Sequence, residues 1–137
     1  MIYLHQNASN NVYLTLSESV TLTGNNIYYL FRFIDETTNV ETLFSAQDTS
    51  SAITRYNLFN IILTASTSVN LSAGTLNLNQ GYSSYEVYQT YIPYDLHLSA
   101  TTGGPIEYGK VYISGASLSI VTKSYTGNTN TFKAYNG

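Results

Sequence analysis

The 137-residue chain contains no cysteine, which excludes disulfides, thiolate metal ligands and a cysteine nucleophile. Charge is nearly as scarce: 9% of the residues are Asp, Glu, Lys or Arg, against roughly a quarter in ordinary domains. The basic residues Arg32, Arg55, Lys110, Lys123 and Lys133 are scattered. No basic stripe can neutralise phosphates, so no nucleic-acid partner is expected. The longest apolar run, from Ile27 to Phe31, falls far short of the roughly 20 residues that span a bilayer, and no membrane partner is expected. The opening MIYLHQNASNN lacks a charged stretch followed by a long apolar one. A signal peptide is therefore not expected, and the protein reads as soluble. No segment keeps a 3.6-residue apolar period over three turns, so helix is expected to be scarce.

What is present points to a folded β domain. Hydrophobic residues make up 43% of the chain, enough for one domain with a real core. The place of the missing charges is taken by 14 tyrosines and by Ser, Thr and Asn, which together number 48. A surface of hydroxyls and amides repels its neighbours weakly, and tyrosine offers a broad apolar ring with one polar tip. Both features suit burial against another protein.

Short β-branched and aromatic runs separated by Gly, Asn, Asp and Ser place strands near 12–16, 19–23, 27–34, 40–45, 57–65, 75–79, 82–91, 107–113 and 117–123, with another near 131–135. Asp35 and Asn39 bracket a hairpin turn, because their side chains bond the local backbone and tolerate unusual dihedrals. Arg32 is placed to pair with Glu41 across that hairpin. The run Ile27 to Ile34 is apolar on both faces, as a central strand should be. Leu76 and Leu78 alternate with polar neighbours, and Gly81 then supplies the freedom a sharp reversal needs. Beyond it, Tyr85 and Val87 share one face while Tyr82, Glu86 and Tyr88 share the other. The expected fold is all-β, an antiparallel two-sheet β-sandwich over residues 1–113, with 114–137 as a final hairpin or carboxy-terminal arm. A tyrosine after a glycine resembles the corner before the penultimate strand of immunoglobulin-like domains. Tyr85 lies four positions after Gly81 rather than two, however, and no cysteine follows.

Candidates for chemistry are few. His5 and His97 have no cysteine or second histidine nearby, so no metal site is expected. Asp95 and His97 share a face if extended, but no nucleophile elbow accompanies them. Asp35, Glu36 and Asn39 lack the spacing of a calcium loop and read as a turn. Glu86 and Glu107 would form a glycosidase pair only with a defined separation and a cleft, and solvated strand positions are the plainer reading. No catalytic residue, cofactor or metal is assigned.

The tyrosines remain. Tyr82, Tyr85, Tyr88, Tyr91 and Tyr94 recur every three residues, which in an extended chain sends rings to alternate faces. Tyr82, Tyr88, Tyr91 and Tyr94 are the candidate interface residues. The long connections 47–56 and 92–106, with the segment after Ser114, are expected to contact neighbouring subunits.

From Tyr28 to Asn57 the chain carries, in order, YYLFRF, DETTNVE, LFSAQDTSS and TRYN; later come GYSSYEVYQ and, after a Pro/Gly loop, IEYGKVYISG. This series resembles a family of small β-rich structural proteins from tailed bacteriophages of Bacteroidetes, crAss-like phages included. The family pattern is an aromatic YLF-F strand, an Asp-Thr-Ser stretch, RYN-F, a glycine followed by Y-Y-V-Y, and a late E-x-G-K-V strand. The resemblance covers roughly residues 13–115 and implies a non-enzymatic virion component, foremost an auxiliary or decoration capsid protein. Its implied partners are the major capsid protein or neighbouring copies of itself, in a large symmetric assembly. A tail or connector element is one alternative. A carbohydrate-binding or host-recognition module on the virion, with exposed tyrosines beside amides and carboxylates, is another.

Overall fold

The computed structural model describes residues 1–24, 26–51 and 55–115. Eight strands follow one another: β1 (Ile2–His5), β2 (Ala8–Leu14), β3 (Tyr28–Asp35), β4 (Glu41–Ser45), β5 (Asn57–Leu63), β6 (Thr75–Leu76), β7 (Gly81–Thr90) and β8 (Glu107–Ser114). Single 3₁₀ turns at Leu71–Ala73 and Leu98–Ala100 are the helical elements among the described residues. The fold is all-β, in two sheets. One has five strands in the order β1-β8-β7-β3-β4, and the other has three in the order β2-β5-β6.

Alternation sends one side of each sheet into a shared core. Phe31 and Phe33 of β3, Phe44 of β4, Val87 of β7 and Ile113 of β8 enter from the larger sheet; Val12 of β2, with Phe59 and Ile61 of β5, enters from the smaller. The two contributions meet edge to face, Phe59 lying 4.9 Å from Phe31 and 5.7 Å from Tyr29 between ring centroids. Aromatic pairs at such angles contribute about 0.5–1.5 kcal/mol beyond their burial. Leu30, on the opposite side of β3, is also buried, as expected of a strand flanked by β7 and β4.

Wholly antiparallel sheets were expected, and here the structure corrects the sequence. β1 runs parallel to β8, and β5 runs parallel to β6. Parallel neighbours need a long crossover, and nearly the whole domain serves as the one between β1 and β8. The chain changes sheet at Gln6–Asn7, where Asn7 takes φ 57°. β1 itself was not expected, although Ile2 and Leu4 are buried and Tyr3 and His5 exposed. Four residues give only two periods of that signal.

The strand expected near 19–23 is absent. Residues 17–19 form a turn, and the backbone beyond it is satisfied by side chains of β7 and its extension. Gln89 Oε1 accepts from the N–H groups of Thr21 (2.9 Å) and Leu22 (3.3 Å), and the Tyr91 hydroxyl accepts from that of Thr23 (3.1 Å). With those donors bonded sideways, no strand ladder is needed. The strand near 75–79 shrinks to Thr75–Leu76. Those expected near 117–123 and 131–135, and with them the proposed hairpin or arm, lie outside the described residues.

Candidate functional site

The outer face of the five-stranded sheet carries the largest gathering of exposed aromatics. Register places Tyr3 of β1 beside Tyr112 of β8, and Tyr112 beside Tyr82 of β7. Tyr82 and Tyr112 tilt against each other with centroids 4.9 Å apart. Tyr3 is 66% exposed, Tyr82 54%, and Tyr108, farther along the same face of β8, 76%. Three strands drawn from both ends of the domain thus build one row of rings on a rigid sheet.

The charges on this face are spent on one another. The Arg32 guanidinium lies 2.5 Å from Glu41 on β4 and 2.7 Å from Glu86 on β7, so one cation joins three strands. Glu86 Oε1 also accepts from the Tyr88 hydroxyl at 2.8 Å. Burial pushes the Glu86 carboxyl upward, but hydrogen bonds from Arg32 and Tyr88 outweigh it and hold the group below its ordinary value. Lys110 pairs with Glu36. Every cation here has its carboxylate, which leaves a face rich in rings and hydroxyls and poor in free charge. The smaller sheet differs: its outer side is an amide ladder, with Asn60 Nδ2 donating to Ser9 Oγ and Asn11 Oδ1.

The four candidate interface tyrosines do not form one patch. Tyr82 lies in the exposed row. Tyr88 is on the same face but only 9% exposed, and its hydroxyl is committed to Glu86. Tyr91 straps the β2–β3 connection, its hydroxyl also donating to Thr23 O at 3.0 Å. Tyr94 sits in the loop after β7 with φ 62° and lines a separate cleft. The sequence reading missed Tyr3, Tyr108 and Tyr112. Alternation assigns them a face, but nothing local says that β1, β8 and β7 are neighbours.

The acid and histidine candidates disperse. Glu107 pairs in register with Val87, so its side chain lies on the core side, where Glu107 Oε2 accepts from the Tyr85 hydroxyl at 3.0 Å. Glu86 lies on the opposite side, which separates the supposed glycosidase pair. His97 Nδ1 meets Asp95 Oδ1 at 2.7 Å in an exposed loop. The hydrogen bond from His97 holds the Asp95 carboxyl below its usual range. Asp35 is a turn residue: its Oδ1 accepts from the N–H groups of Thr37 and Thr38, and Asn39 takes φ 60°. Among the described residues no three His, Asp or Glu side chains gather as they would around a metal ion.

No family model matches the chain, and neither does any curated protein or solved structure. The functional reading therefore rests on the residues themselves.

Proposed function

We propose that this is a non-enzymatic bacteriophage virion structural protein, an auxiliary or decoration capsid protein whose five-stranded sheet packs its outer face against neighbouring virion proteins, copies of itself included. The observation that carries the reading is the row Tyr3–Tyr112–Tyr82, its outer rings exposed and Tyr112 half-buried between them, with exposed Tyr108 beyond it, among charges that are already paired. Five strands about 4.8 Å apart and eight residues rising about 3.3 Å each span on the order of 600 Å², close to the roughly 800 Å² that one partner contributes to a standard interface. Pairing lowers the cost of covering these charges without removing it, and multiplicity in a shell turns modest contacts into a stable whole. The phage assignment is supported by the YYLFRF, GYSSYEVYQ and IEYGKV segments.

The same reading takes the two sheets as the layers of an immunoglobulin-like sandwich. In its support, β8, β7 and β3 are neighbours as strands G, F and C are, β4 occupies the C′ place, and β2 lies beside β5 as B lies beside E. The parallel β5–β6 pair departs from that pattern. Mass spectrometry of intact particles tests the proposal by counting copies of the chain per virion. A regular stoichiometry is expected, and absence from purified particles overturns it.

A further inference from the structure

Away from the tyrosine row, a cleft of about 500 Å³ opens between the β2–β3 connection, the end of β4 and the loop after β7. Its size falls within the roughly 300–1,000 Å³ of small-ligand sites. Tyr28 and Tyr94 supply aromatic wall from two segments distant in sequence, Val20 and Ile27 add aliphatic surface, and Gln47 and Asp48 stand at the end of β4. Tyr28, Tyr94 and Gln47 are all at the surface. None of their polar ends is committed to a hydrogen bond among the described residues, so each is available to a ligand.

The lining also says which ligands fit. It contains no Lys, Arg or His and one carboxylate, so an anion finds no partner. Asp48 is kept ionised by hydrogen bonds that outweigh its partial burial. Its oxygens are nonetheless turned inward: Oδ2 accepts from Asn57 Nδ2 at 2.6 Å, and Oδ1 from the N–H groups of Ser50 (2.9 Å) and Leu58 (3.1 Å). With its lone pairs largely taken, Asp48 is a poor counter-ion for an organic cation. What remains is ring faces alternating with amide and hydroxyl groups. That chemistry suits a molecule apolar on one side and ringed with hydroxyls, since tyrosine offers an apolar body and a polar tip.

We propose that this cleft binds a neutral saccharide, one sugar face lying against Tyr94 or Tyr28 and its hydroxyls bonded to Gln47. The site is separate from the tyrosine row, so a glycan-binding activity accompanies the assembly role without resting on it.

Saturation-transfer NMR on the purified full chain tests the idea. The probes are glucose, galactose, N-acetylglucosamine and their β-linked dimers, with sialic acid as an anionic arm and choline as a cationic one. Transfer to at least one neutral sugar is expected. Tyr94→Ala or Gln47→Ala should weaken that binding about three- to tenfold, the worth of one such contact, with an unchanged circular-dichroism spectrum. Tyr82→Ala, at the opposite end of β7 from the cleft, should leave it intact. The proposal is overturned if no neutral sugar gives transfer at millimolar concentration, if only sialic acid or choline binds, or if Tyr94→Ala and Gln47→Ala both bind like the unaltered chain.

Discussion

Asn57 stands where three segments meet, and its replacement by alanine gives the sharpest test of how this fold is held together. The residue is 0% exposed. Its Oδ1 accepts from the N–H of Leu16 at 2.8 Å, and its Nδ2 donates to Asp48 Oδ2 at 2.6 Å. It thereby ties the chain after β2 and the loop after β4 to the start of β5. Truncation to alanine leaves the N–H of Leu16, itself fully buried, without an acceptor, at a cost of about 1–3 kcal/mol. Asp48 also loses one of its donors. Because Asp48 is only partly buried, that loss is discounted to about 1 kcal/mol. Asn57→Ala should therefore cost about 2–4 kcal/mol, lowering Tm by roughly 7–14 °C in a domain of this size. Urea unfolding followed by circular dichroism measures it. A loss under about 1 kcal/mol would mean that water replaces both bonds and the network is not a structural tie.

The pH dependence separates the two bonds. Burial pushes the Asp48 carboxyl upward, but hydrogen bonds led by that from Asn57 hold it below 3.8. A depressed carboxyl contributes stability that is present above its unfolded value and lost as pH falls through the folded one. The difference between Asn57→Ala and the unaltered protein should therefore narrow below about pH 4. Asn57→Asp keeps an acceptor for Leu16 but sets a second carboxylate against Asp48. It should be more destabilising at pH 7 than at pH 4, where one of the two acids takes a proton. Equal losses at both pH values would refute the assignment.

Gly109→Ala should cost about 1–3 kcal/mol by overpacking, because an added Cβ would lie 2.9 Å from Cε1 of the buried Tyr85 ring; chemical denaturation measures this. Burial, reinforced by the Glu107 carboxylate, pushes the Tyr85 phenol up to about 12. A raised value means that stability is full below pH 10 and lost as pH rises through 12, by roughly 2–3 kcal/mol. Melting curves across that range should show the decline, and Tyr85→Phe should remove this contribution to it. The double variant Tyr82→Ser, Tyr108→Ser should change folding stability by under about 1 kcal/mol, both rings being exposed, yet reduce the number of copies per particle. Full incorporation of the double variant would argue against the tyrosine row as the docking face.

The amides show how one composition serves two ends. The abundance of Asn, Ser and Thr reads in the sequence as surface, and the ladder of Asn60, Ser9 and Asn11 fits that reading. Asn10, Asn57 and Gln89 do not, because all three are buried. Asn10 Oδ1 accepts from the N–H of His5, and its Nδ2 donates to the carbonyls of His5, Ala8 and Ile61, so its side chain stands in for a strand partner where β1 gives way to β2. Gln89 does the same for Thr21 and Leu22. An amide bound for solvent and one bound for a buried backbone group look alike in sequence; only its tertiary neighbours tell them apart.

Local pattern alone was enough for the shared face of Tyr85 and Val87, the hairpin at Asp35–Asn39, and the φ of 120° at Gly81 that opens β7. Side-chain direction repeats every two residues, and a turn is decided within four. Tertiary structure alone decided that Tyr3 and Tyr112, 109 positions apart, lie in register beside Tyr82, that Tyr88 is covered, and that Tyr28 and Tyr94 line one cleft. Alternation tells a residue which face it occupies. Which strand lies next to it depends on non-local hydrogen bonds and on the burial of a core shared by both sheets.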